Sequence, residues 1–390
     1  MSAANKLRAS LSRSTWVVFA MLGATCAVAC AAESEEEAAE TNDELNARAP
    51  ALNEELSLAQ QAGEPALFER LGREINDIQR QRAEANGGIA RGFHAKPHAC
   101  VLGKLEILAA RPDETKFGVF AETKTFPAWV RLSNATSVRT SDKSPDLRGI
   151  AVKVLGVPGA KLFPGQETAT TQDFLGITTD SLGTKDAESF MEFQKALTAG
   201  GGTMAWFAFT HAPLVAKLIA AASHPVSSVF NERYFSGVPF KLGPRASKFS
   251  FTPCAQLDRG DGSWNPSNNY LREDVVSTLE QGAQCFNLDV QFQRDTVKQP
   301  VEDSSVSWKE NEAPFVRVAR LILPQQDMRS AQSVAKEGFC EGLVWNPWHA
   351  LEAHRPIGNA NRARKIVMVA AQKFRGAKQP PAEPTGLETF

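Results

Sequence analysis

The chain reads as an α+β protein, and two observations predict that class. Short apolar segments bounded by Pro, Asp, Ser and Asn recur from residue 104 onward, and helical spacings fill separate blocks before, between and after them. With 390 residues, 43% hydrophobic and 22% charged, the chain can build one large globular domain or two ordinary ones. A net charge of -1 supplies no general basic field to attract nucleic acid. Twenty-three Phe against two Tyr describe a core that takes aromatic bulk without a phenol to satisfy.

Lys6, Arg8 and Arg13 precede an apolar, small-residue stretch at 16–29, short for a membrane span and followed by an acidic run. That is the pattern of a signal peptide over residues 1–30. Ala27-Val28-Ala29-Cys30 resembles a relaxed lipobox, with Ala27 where Leu is usual, and would leave Cys30 as a lipidated first residue. A small-x-small site near residues 29–31 would release a soluble protein instead. The acidic run at 33–41 suits a tether, so a periplasmic or outer-membrane lipoprotein is preferred, touching membrane only through Cys30. In an oxidising compartment Cys100, Cys254, Cys285 and Cys340 allow one or two disulfides, with the pairing open.

Residues 31–84 read as tether and helical arm. Leu67, Leu71, Ile75 and Ile78 recur at helical steps, and Pro65 suits a first turn. The main domain spans residues 85–376 and a Pro-rich tail covers 377–390. Strands are expected at 104–109, 117–120, 128–133 and 149–155, then at 248–252, 286–292 and 316–323. Residues 186–222 read as helical, divided by Gly200-Gly201-Gly202. Asn346-Pro347 predicts a short helix over 348–354, and Asn359 opens a final helix to residue 374.

Two stretches carry chemistry. His94 stands between Arg91 and Lys96, and nearby cations keep a proton off an imidazole, which makes it a candidate general base. Period two in residues 128–133 sets Ala128, Val130 and Leu132 on one face, with Trp129, Arg131 and Ser133 on the other, where they could line a polar pocket. His94 and His98 have the spacing of a helical zinc pair, but Pro97 between them opposes a shared helix face and the glutamate of such a motif is missing.

The stretch from about residue 91 to 375 resembles the haem catalase family, nearest its small bacterial branch. The resemblance rests on Arg91-Gly92-Phe93-His94-Ala95-Lys96, Val130-Arg131-Leu132-Ser133 and Asp146-Leu147-Arg148-Gly149-Ile150-Ala151-Val152-Lys153. It continues through Tyr234-Phe235-Ser236 with Pro239, Gly243 and Lys248, Pro300-Val301-Glu302-Asp303 with Trp308, and His354-Arg355-Pro356-Ile357-Gly358. It implies an antiparallel β-barrel core with added helices, enclosing haem b. His94 would be the acid/base that moves a peroxide proton, Ser133 would fix its tautomer, and Arg91, Arg131 and Arg355 would pair with haem propionates.

Two departures are visible. Counting back from His354-Arg355, the family's proximal tyrosine falls on Trp348, and the arginine four residues earlier falls on Val344. An indole is a donor only, so His349, one residue on, is the nearest side chain able to ligate iron. The family's distal asparagine falls near Thr178. The expected function is an exported haem peroxidase or catalase-like oxidoreductase acting on hydrogen peroxide or organic hydroperoxides, with an unknown electron donor, a weak catalase turnover and a homodimeric assembly. Two rivals stand beside it: a binding or structural protein on the same fold that has lost haem ligation, and a relative that rearranges lipid hydroperoxides.

Overall fold

The computed structural model describes residues 62–259 and 267–376. The signal stretch, Cys30, the acidic tether and the Pro-rich tail lie outside the described residues.

Among those residues nine strands and eight α-helices form. The strands are β1 (Pro97–Ile107), β2 (Thr125–Asn134), β3 (Arg148–Val154), β4 (Gln172–Ile177), β5 (Tyr234–Phe235), β6 (Phe240–Leu242), β7 (Arg245–Pro253), β8 (Gln284–Phe292) and β9 (Phe315–Leu323). Every pairing is antiparallel. The order runs β5-β4-β3-β2-β1-β9-β8-β7, and β5 also pairs with β7, so eight strands close into a barrel with β6 hung on β7 as a hairpin. Closure removes the exposed sheet edges that would otherwise invite further pairing.

Alternation along the strands fills the barrel. Val101 and Leu105, Ala128, Val130 and Leu132, Ile150, Val152 and Val154, and Leu288 and Val290 are all buried in one core cluster. Phenylalanines extend it: ring centroids of Phe120 and Phe174 lie 6.0 Å apart, Phe174 and Phe249 5.4 Å, and Phe249 and Phe251 5.9 Å. Each of the two tyrosines is tied to the backbone, Tyr234 donating to Val229 O at 2.8 Å and Tyr270 to Val226 O at 2.7 Å.

The helices are α1 (Glu64–Gln81), α2 (Ala83–Asn86), α3 (Ala187–Ala199), α4 (Gly201–Thr210), α5 (Ala212–Ala222), α6 (Tyr270–Gln281), α7 (Ala331–Gly342) and α8 (Asn359–Phe374). Pro65 sits in the first turn of α1, and α8 has the expected bounds. The apolar stripe of α1, Phe68, Leu71, Ile75 and Ile78, packs with Ala363 of α8 and Met191 of α3. Disulfides join Cys100 on β1 to Cys340 on α7, and Cys254 to Cys285 on β8.

Two expected elements differ. Residues 117–120 form a 3-10 turn over Gly118–Phe120 rather than a strand, because Gly118 is left-handed (φ 56°) and Val119 N–H donates to His354 Nε2 at 2.9 Å. The helix expected over 348–354 is reduced to a 3-10 turn at Glu352–His354. Its would-be helical backbone groups are taken by β4: Leu351 N–H donates to Gln172 Oε1, and His349 O accepts from Asp173 N–H. Strands β4, β5 and β6 and helices α6 and α7 were not expected from the sequence. The strands are short, whereas α6 does carry a helical period, with Leu271, Val275 and Leu279 buried at four-residue steps.

Candidate active site

The site begins on the outer face of β2–β4. Register sets Arg131, Ala151 and Leu175 in one cross-strand row and Ser133, Gly149 and Ile177 in the next. All six line a cavity of about 610 Å³, within the range typical of cofactor and ligand sites. Further walls come from Leu71 and Ile75 of α1, from Phe190, Leu197, Met204, Val215 and Ile219 of α3–α5, and from α8. The period-two reading of residues 128–133 thus placed Arg131 and Ser133 on the face that lines this pocket.

His94 enters from the segment before β1. It is the one non-glycine among the described residues with a left-handed backbone, φ 57°, a conformation that costs energy and is held here by its surroundings. Its N–H donates to Ala135 O at 2.9 Å, and its own carbonyl accepts from Arg131 Nη2 at 2.9 Å. The imidazole lies with Nδ1 3.1 Å from Ser133 Oγ. Gly149 makes the room: a Cβ there would come 2.4 Å from both Nδ1 and Cε1 of His94. Burial pushes the imidazole down to about 3, the Arg131, Arg364 and Arg91 charges push the same way, and a hydrogen bond to the Asn134 backbone opposes them. His94 is therefore neutral at physiological pH.

Four arginines line the cavity: Arg91, Arg131, Arg364 and Arg375. Three gather at the end of α7. Arg131 Nε lies 2.7 Å from Glu341 Oε1, Arg91 Nε lies 3.8 Å from Oε2, Arg91 Nη2 donates to Glu341 O at 2.6 Å, and Arg375 Nη2 donates to Leu343 O at 3.1 Å. Burial works to raise the Glu341 carboxyl, yet Arg131, Arg91 and Arg375 together hold it below its ordinary value. Arg364, pushed down to about 10 by burial, donates to the neutral Asn361 Oδ1 at 3.2 Å. Against these four cations stand Glu341 and the cavity-lining Asp146, so two positive charges are formally in excess. Excess charge on a wall where Arg131 is buried and the other three arginines are half-buried suits an anionic occupant.

Helix α8 presents Arg364, Val367, Met368, Ala371, Gln372 and Arg375 to the cavity, alternating three-residue and single steps along one helical face. Arg364 and Met368 stand four residues apart, the spacing that the catalase resemblance assigns to an arginine and its tyrosine.

The same geometry sorts the residues singled out from the sequence. Arg91, His94, Arg131 and Ser133 come together on the cavity wall; Thr178, Trp348, His349 and Arg355 are not on it. Thr178 Oγ1 accepts the Arg148 N–H at 3.0 Å, and its neighbour Thr179 lines the cavity instead. Trp348 is buried with its indole N–H on Asn361 O at 2.7 Å. His349 has both ring nitrogens engaged, Nδ1 with Asp173 Oδ2 at 3.1 Å and Nε2 with Gln166 Oε1 at 2.7 Å, and stacks near Phe163. Both nitrogens are thus engaged away from the cavity wall. Arg355 Nε lies 3.3 Å from Glu352 Oε1. His98, the other half of the zinc spacing, bonds to Asn134 Oδ1 at 2.9 Å, away from Ser133 and the cavity wall.

Comparison with solved structures settles the architecture. A fungal catalase superposes with a TM-score of 0.59 at 17% identity, covering 77% of this chain and 62% of its own. A bacterial catalase gives 0.56 at 18%, covering 77% and 63%, and catalase A from Saccharomyces cerevisiae gives 0.60 at 16%, covering 77% and 64%. The fold is catalase-like. The chain spans less than two thirds of the length of these catalases. The sequence matches no family model and no curated relative.

Proposed function

We propose that this protein is a haem-dependent oxidoreductase acting on peroxides. One observation carries the reading: a cavity of about 610 Å³ brings a neutral imidazole, a cluster of arginines in charge excess and a cavity-facing thioether onto one set of walls. The residues fit a haem. Apolar side chains such as Leu71, Ile75, Leu175 and Val367 would enclose the macrocycle, and Arg91, Arg131 and Arg375 would take its two carboxylates in place of the single carboxylate of Glu341. Arg375 thus replaces Arg355 as the third propionate partner. Met368 supplies a thioether, a ligand type that haem iron accepts.

When bound, the haem iron supplies the electrons and the Lewis acidity for cleaving an O–O bond. The chain's own part is proton handling. If Nδ1–H faces Ser133, the lone pair at His94 Nε2 accepts a proton from one peroxide oxygen and returns it to the other. Gly149 and the Arg131–His94 backbone bond hold the ring in place for that exchange. A thioether donates less charge than a phenolate, which favours peroxidase-type turnover with an external donor over rapid dismutation. The two disulfides support export to an oxidising compartment.

A second reading, a binding protein without iron chemistry, is favoured by Glu341, which already occupies the arginine cluster. Haem titration of the purified full-length protein separates the two. One haem per chain, weakened at least tenfold in Arg131→Ala, supports the oxidoreductase; no saturable haem binding rejects it.

A further inference from the structure

The cavity does not end at the arginines. Its far wall is built from α3–α5, with Phe193, Leu197, Met204, Val215, Leu218 and Ile219 lining it. Two of these side chains are also on the outside of the molecule: Leu197 is 40% and Ile219 59% exposed. Interior apolar surface therefore continues onto exterior apolar surface at these two side chains. Beside them Trp206 and Phe209 stand out at 68% and 78% exposure, their rings 5.9 Å apart.

Helices α4 and α5 are apolar nearly all round, and α4 has no buried residue. Lys217 is the only Asp, Glu, Lys or Arg in residues 201–222, and its ammonium turns back to Ser181 Oγ at 2.9 Å. A helix of that composition is ordinarily covered, by protein or by lipid. The pair bends by 110° at His211, and no single helix among the described residues is long and apolar enough to cross a bilayer. Together the two helices are apolar enough to enter lipid, and so sharp a bend suits a pair that dips into one leaflet from the interface, with its aromatics in the lipid.

Resting on the peroxide reading above, we infer that α4 and α5 lie on a lipid bilayer and pass an acyl chain from it between Leu197 and Ile219 into the cavity, making long-chain acyl hydroperoxides the substrate class. A globular protein partner would cover Trp206 and Phe209 but would not account for Leu197 and Ile219, which are exposed and line the cavity as well. An acyl chain explains the outer face and the inner wall together.

Two measurements on the full-length protein test this. Phosphatidylcholine vesicles brominated along the acyl chains should quench wild-type tryptophan fluorescence, and Trp206→Phe should remove the quenched component; equal quenching in both overturns the inference. A dimer that shields Trp206 from bromolipid and from aqueous iodide alike also overturns it. Binding of cis-parinaric acid should weaken at least tenfold in Ile219→Glu and in Leu197→Glu, both at exposed positions that tolerate charge without unfolding; unchanged binding in both overturns it. Neither readout needs haem. A protein without a Soret band that passes both tests loses the peroxide reading and keeps the acyl site, whereas a haem protein that fails both loses only the acyl site.

Discussion

At the residue scale the site turns on what surrounds one imidazole. His94 stays neutral because burial and the Arg131 charge both oppose its proton, and it stays oriented because Ser133 meets Nδ1 while Gly149 leaves the ring its space. His94→Ala should lower peroxide turnover by about 10²–10⁴-fold, the usual worth of a positioned general acid–base, while the Soret band persists. Gly149→Ala should have a related effect by displacement, since the new methyl meets the imidazole 2.4 Å away. A steady-state assay on the haem-loaded variants checks both, and full activity in His94→Ala would remove it from the mechanism. Arg131 and Ser133 were legible in the sequence because a two-residue period leaves little choice of face. Trp348 and His349 lie off the cavity wall because counting back from His354-Arg355 runs along a segment whose backbone bonds to β4 instead of coiling into a helix, and Arg355, assigned by its motif, turns to Glu352.

At the element scale α8 is what sequence reasoning missed. Its bounds were plain from Asn359 and the tail beyond it, but its place on the cavity wall was not, because Met368 belongs to no motif that would have drawn notice. The signal was nonetheless present: Arg364, Met368, Ala371 and Arg375 fall three to four residues apart on one face, and that face lines the cavity. Met368→Tyr should shift the Soret band and the charge-transfer bands toward those of a phenolate-ligated haem, read by absorption spectroscopy, and an unaltered spectrum would show that α8 does not supply the ligand. Helix α7 has the complementary task of holding Glu341 against Arg131 and Arg91, and Cys340 beside it is bonded to β1. Removing that bond in the Cys100→Ala/Cys340→Ala variant should cost about 2–5 kcal/mol in denaturant unfolding, the usual range for a native disulfide.

At the scale of the whole molecule, two buried histidines and the half-buried His94 couple folding to pH. Burial lowers His94 to about 3 and His98 and His354 to about 4. In the unfolded chain they titrate near 6.5, so the unfolded state binds more protons between pH 6.5 and the folded values. The contribution of these histidines is therefore full above about pH 6.5 and is lost as the pH drops toward 4, His98 and His354 each contributing on the order of 3 kcal/mol. Glu232, raised to about 7 by burial, works in the opposite sense over the same window. For His354 burial is the cause, and the geometry agrees with it, since Nε2 accepts the Val119 N–H and cannot do so once protonated. Between pH 7 and 4 the melting temperature of His354→Gln should fall less than that of the wild type; an identical pH dependence in the two would contradict the burial of His354 as described. The barrel itself was expected only through the resemblance to catalases. The two-residue closing strand β5 and the short hairpin strand β6 are too brief to carry a period, so their place depends on pairing with β7 rather than on their own sequence.

The account rests on a tetrapyrrole held between the wall that carries His94 and the helix that carries Met368. The visible spectrum of the full-length protein, expressed with ample haem and compared with Met368→Ala, tests this most directly. A Soret band at one haem per chain that changes position or intensity in the variant is the predicted result. A protein that purifies folded with no Soret band, even after reconstitution with haem, would contradict it.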